Sequence, residues 1–121
     1  MKKILTPQKI INQYLETGIV LAETALNGDY KRGNKIAKEN RKVFASLGQN
    51  KDLAMQVLMQ VMNSDNDKAR SIAATDAIRL DIMIEQAVEV LEEVAKRSDI
   101  IGFEAKTALK IWRGEYPGKT L

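Results

Sequence analysis

Lys31, Lys35, Lys38 and Lys42 recur at i, i+4, i+7 and i+11, the spacing that puts four ammonium groups on one face of a helix. With Arg32 and Arg41 beside them, the stretch from Asp29 to Gly48 carries six basic residues against two acidic ones. A ridge of that kind attracts phosphate backbones or acidic protein surfaces. It also serves as a plain solvated face, because lysine stems cover the edges of a core while their charges stay in water. No aromatic side chains alternate along it, which weakens the case for a single-stranded nucleic acid. The opposite pole is acidic: Glu85, Glu89 and Glu92 share a stripe and Glu93 sits beside it. Carboxylates on an open helix face lack the desolvated pocket that acid–base or metal chemistry needs. They suit a docking patch for a basic partner, or nothing beyond the i, i+4 pairs Glu92 to Lys96 and Glu93 to Arg97. Trp112 and Tyr116 flank Arg113 and are of the types enriched at interface hot spots, although a terminal cap on a helical stack uses the same residues.

Other chemistry is excluded more firmly. The chain has no Cys and no His, so it holds no thiol nucleophile, no disulfide and no Ser-His-Asp triad. A typical structural zinc site is excluded with them. Asp65-Asn66-Asp67 faintly suggests a calcium loop, but glycine is missing at its sixth position and glutamate at its twelfth, so helix capping explains it better. No glycine-rich phosphate loop, dinucleotide fingerprint or nucleophile elbow occurs. The expectation is a protein with no catalytic residues, no metal and no cofactor. Met55, Met59, Met62 and Met83 read as core filler.

The elements that position these residues are helices throughout. In 121 residues, 45% hydrophobic and 29% charged, only two are proline and seven glycine, which describes one well-ordered domain spanning 1–121. Thr6-Pro7 starts a first helix that Gly28 ends, with Ile11, Tyr14, Leu15, Ala22, Ala25 and Leu26 as its stripe. Asp29 caps a second, ending near Gly48, with Ile36, Val43, Phe44 and Leu47 inward. Asn50 caps a third, apolar almost all round and therefore expected at the centre. Ser64-Asp65-Asn66-Asp67 leads into a fourth helix rich in alanine. Asp81 opens a fifth through Arg97, and Ser98-Asp99 a sixth through Arg113. The expected organisation is an N-terminal pair over 7–48, two hairpins over 51–80 and 81–113, and an irregular tail over 114–121. The two hairpins repeat weakly: Val57-Leu58-x-x-Val61 matches Val90-Leu91-x-x-Val94, and Ala74-x-x-Ala77-Ile78 matches Ala105-x-x-Ala108-Leu109. Such units bury their apolar faces by stacking on one another. No stretch approaches the roughly 18 apolar residues of a membrane span, and no apolar leader follows the first lysines. A cytoplasmic protein with no membrane partner is expected.

Ser64-Asp65-Asn66-Asp67-Lys68-Ala69-Arg70-x-x-Ala73-Ala74 is similar to the signature of HEAT-like repeats, a polar turn before a helix bearing an Arg and an Ala pair. Together with Gly28-Asp29-Tyr30-Lys31-x-x-Asn34-Lys35 and Trp112-Arg113-Gly114-Glu115-Tyr116, it resembles a bacterial family of small HEAT-like proteins known as a domain of unknown function. The resemblance implies an all-α fold of six helices as stacked antiparallel hairpins, a short HEAT/ARM-like superhelix without enzyme activity. For some members it also implies a role as an immunity protein that neutralises a cognate toxin. It transfers no catalytic residue, though some HEAT-like proteins act on DNA with only carboxylates and aromatics. The second repeat departs from the signature, with Gly102 and Phe103 where the first has Ser71 and Ile72. The function expected is protein binding through Lys31, Lys35, Lys38, Lys42, Glu85, Glu89, Glu92, Trp112 and Tyr116. The alternative is nucleic-acid binding along the lysine ridge.

Overall fold

The computed structural model describes residues 6–115, which form six helices and, among the described residues, no strand. They are α1 (Pro7–Asn27), α2 (Tyr30–Leu47), α3 (Lys51–Met62), α4 (Asp67–Arg79), α5 (Ile84–Val94) and α6 (Ile100–Trp112). The protein is all-α, built as three hairpins, α1/α2, α3/α4 and α5/α6. No helix among the described residues is long and apolar enough to cross a membrane.

Helix ends follow local chemistry. The Thr6 hydroxyl accepts from the Lys9 amide at 3.2 Å, with Pro7 in the first turn, and Gly28 closes α1 in the left-handed region at φ 76°. Asp29, Asn50, Asn66 and Asp99 each cap the helix that follows by accepting from the backbone amide three residues on.

The start of α5 differs from expectation. Asp81 does not open the helix. It and Met83 both lie in the left-handed region, at φ 59° and 48°, and α5 begins at Ile84 without a side-chain cap. Between the two strained residues sits Ile82, buried at 8% exposure, so apolar burial offsets a backbone cost of about 1–2 kcal/mol per residue. The helix also stops at Val94, short of Arg97. Lys96 and Arg97 therefore leave the helical face, and the expected Glu92–Lys96 and Glu93–Arg97 pairs give way to Glu92–Arg113 and Glu93–Arg70, at 2.9 and 2.6 Å. The tight turn into α6 explains Gly102: a Cβ there would lie 2.0 Å from the Arg97 carbonyl oxygen.

Helix α4, rather than α3, is central. It packs against α1, α3, α5 and α6, with Ala69, Ala73, Ala74 and Ala77 fully buried. Small side chains permit this, and the closest approach is at Gly18 of α1, where a Cβ would stand 2.7 Å from the Ala69 backbone nitrogen. Helix α3 lies at the side with Met55 43% exposed, because an apolar circumference does not by itself supply neighbours. The end of α1 runs past the core, leaving Ala25 and Leu26 exposed rather than on its inner stripe. Of the matched hairpin positions, Leu58 and Leu91, Val61 and Val94, and Ala74 and Ala105 are all buried, whereas Val57, Ala77 and Leu109 are buried and their counterparts Val90, Ala108 and Ile78 only partly so.

Arg70 joins the second and third hairpins. Its Nε donates to the Met62 carbonyl at 2.9 Å, and its two terminal nitrogens reach Asp67 and Glu93 at 3.0 and 2.6 Å. Asp67 in turn holds Arg97 at 2.9 Å, and these two guanidinium groups keep its carboxyl below the usual range even though burial pushes the other way. Arg97 also holds Asp99, pulling that carboxyl down to about 2. Arg70 thus bonds within the stack. In contrast, α2 packs on α1 and lightly on α3 without comparable contact with α4, which leaves an open groove between α2 and α6 along the flank of α4.

Candidate functional site

Three surfaces carry chemistry. The first is α2, where Lys31, Lys35, Lys38 and Lys42 are all exposed, and none has an ion-pair partner among the described residues. Arg32 is drawn off to Glu23 at 3.0 Å, and Arg41 faces the groove. The ridge of four lysines therefore stands on one edge helix, apart from the rest of the site residues.

The second surface unites three of the residues singled out by sequence. Glu85 and Glu89 of α5 and Trp112 of α6 line one shallow cleft with Ile84 and Val88. Trp112 is 44% exposed, so part of its indole stays accessible in the cleft. Neither Glu85 nor Glu89 has an ion-pair partner among the described residues. Glu92 does not join them, since Arg113 takes its carboxylate. Tyr116 lies outside the described residues.

The third surface is the α2–α6 groove, a cavity of about 300 Å³ that sequence reasoning missed. Tyr14 donates its hydroxyl to Asp76 Oδ2 at 2.6 Å in the core beneath it, and Thr17 Oγ1 lies 3.1 Å from Asn40 Oδ1. Burial pushes the Asp76 carboxyl up to about 6, against the Tyr14 hydrogen bond and the charge of Arg79 at 3.9 Å. Burial likewise pushes the Tyr14 hydroxyl up, and the neighbouring Asp76 charge adds to this. Arg79 lies over the Phe44 ring, 6.0 Å from its centre. Ser71 is buried at 8% exposure and its Oγ has no hydrogen-bond partner. The signal in the sequence was polarity at inward positions: Asn40 lies between Ile36 and Val43, and Asp76 between Ala73 and Ala77, on stripes otherwise apolar.

The Asp65-Asn66-Asp67 turn works as a cap and an arginine holder, and among the described residues no group of three or more carboxylates is placed to hold a metal ion. Comparison with family models, with curated proteins and with solved structures returns no match for this chain.

Proposed function

We propose that the protein is a non-catalytic binding module that receives a basic protein partner on the Glu85, Glu89 and Trp112 cleft. The observation that carries this is the convergence, on one apolar-floored cleft, of two carboxylates without ion-pair partners among the described residues and an accessible indole. An arginine or lysine entering it would pair with a carboxylate and lie against the tryptophan, gaining a cation–π contact of about 0.5–2 kcal/mol. Trp and Arg are the residues on which interface affinity concentrates. The form that the family resemblance suggests is a cytoplasmic immunity protein. It would block a cationic toxin by covering its working surface, a task that needs charge and shape complementarity and no catalytic group.

The test is a comparison of tagged wild-type protein with a Glu85→Lys, Glu89→Lys, Trp112→Ala variant in pull-downs from the native host after nuclease treatment. The expected outcome is a basic protein retained in stoichiometric amount by the wild type and lost by the variant. A partner retained equally by both moves the binding surface elsewhere.

The free lysines of α2 support a second function, binding to nucleic-acid phosphates. Affinity for a DNA or RNA duplex would then fall steeply with salt, and Lys35→Gln with Lys38→Gln would flatten the logarithmic salt slope by about 2. Fluorescence anisotropy of a labelled duplex over a salt series measures this, and a salt-independent or absent interaction rules it out.

A further inference from the structure

We propose that the α2–α6 groove is a binding site for a small amphipathic anion, a carboxylate or phosphate group on an aliphatic body. The cavity, about 300 Å³ between packed helices, is of the size and situation in which small-molecule sites occur. Ser71 also lines it, and its buried hydroxyl has no hydrogen-bond partner.

Charge selects the ligand. Lys68 and Glu104 line the groove and cancel one another, being paired at 2.6 Å from α4 to α6. Arg41 has no ion-pair partner among the described residues, and Arg79 has only Asp76, 3.9 Å away and beyond hydrogen-bonding distance. Arg41 is one turn from Phe44 on α2, and Arg79 lies over that same ring, so both arginines are rooted near Phe44, at one end of the groove. Guanidinium forks bind carboxylate and phosphate oxygens through paired hydrogen bonds. Away from that end the walls are aliphatic: Ile72, Leu91, Ala105 and Ala108. An anionic head held by the arginines with a hydrocarbon body along these side chains satisfies both halves.

Asp76 couples the site to protons. The groups acting on it directly are Tyr14 of α1, which Asn40 of α2 also bonds, and Arg79 of its own helix, while Arg41 of α2 and the paired Lys68 of α4 and Glu104 of α6 are the other charges that line the groove and α5 contributes the uncharged Leu91. A bound anion beside it disfavours the carboxylate, so binding takes up a proton there.

Amide chemical-shift titrations with hexanoate, hexyl phosphate, hexylamine and hexanol test the proposal. The two anions are expected to saturate with low-millimolar affinity and to shift Thr75, Ala105 and Ala108, and the tighter of them identifies the head group. Arg41→Gln and Arg79→Gln, both at exposed positions that leave the fold intact, should each weaken binding about tenfold, whereas Lys38→Gln outside the groove should not. Hexanoate, ionised at both values, should bind more tightly at about pH 6 than at about pH 7.5, and Asp76→Asn should remove that difference. Preference for hexylamine, equal binding of hexanol, or affinity unchanged in both arginine variants would overturn it.

Discussion

Gly18→Val is expected to lower the free energy of unfolding by about 3 kcal/mol, seen as a lower midpoint in urea denaturation. The three atoms nearest a Cβ at this position belong to Ala69, at 2.7, 2.8 and 2.9 Å, and two of them are backbone. Backbone of a central helix cannot rotate aside, so α1 and α4 must separate. Propensity works in the opposite direction, since glycine inside a helix is the poorer former, but that gain is only a fraction of about 1 kcal/mol. Gly33→Ala supplies the contrast. Its Cβ would meet the Thr24 hydroxyl at 2.8 Å, a side-chain atom that can turn away, so the loss there should stay below about 1 kcal/mol. Because α2 rides on α1, a displaced α1 carries Arg41 and Phe44 away from Ser71 and Arg79, and the valine variant should lose hexanoate binding along with stability. An unchanged urea midpoint would show that the α1–α4 crossing is not what fixes the groove.

The same crossing shows where sequence reading succeeds and where it stops. Thr6, Asp29 and Asn50 were recognisable as caps, and Ser64-Asp65-Asn66-Asp67 and Ser98-Asp99 as helix starts, because a cap is a contact with the amide three residues on, wholly contained in a short stretch of chain. The lysine ridge and the Glu85–Glu89 stripe were legible for a similar reason, as faces of single helices. That Trp112 closes onto that stripe adds only one neighbouring helix. The break at Asp81–Met83 was not legible, since it is set by where Ile82 is buried and not by the propensities of those residues. The centrality of α4 was hidden too: apolar periodicity favoured α3, whereas close packing depends on the absence of side chains, at Gly18 and along Ala69, Ala73 and Ala77. The groove lay furthest out of reach. Tyr14 and Asp76 are 62 residues apart, and with Asn40 they meet from three helices. Tyr14 reads only as part of the α1 stripe, and nothing near Asn40 or Asp76 in sequence pairs either with it.

Asp76→Asn is expected to make the protein more stable at neutral pH, by up to about 3 kcal/mol, and to leave stability nearly unchanged near pH 4. The sign follows from the carboxyl's rise from 3.8 to about 6 on folding. A raised value means that the folded state binds the proton more tightly, so the contribution of Asp76 is present in full below its unfolded value and is lost as pH rises through about 6. Asp67 and Asp99 act in the opposite sense, their carboxyls being lowered, and their contribution disappears only as pH falls below the ordinary carboxylate range, outside this window. Asparagine removes the buried charge while its amide oxygen still accepts from Tyr14, so the core hydrogen bond survives. Asp76→Leu makes the distinction sharp: it removes the same charge but leaves the buried Tyr14 hydroxyl without its acceptor, at a cost of about 1–3 kcal/mol, and should gain correspondingly less. Urea denaturation of all three proteins at several pH values between these limits gives the curves directly. A difference between wild type and Asp76→Asn that does not vary with pH would mean that the carboxylate is solvated in the folded protein, and the groove would then lose both its buried acid and the proton linkage of its anion site.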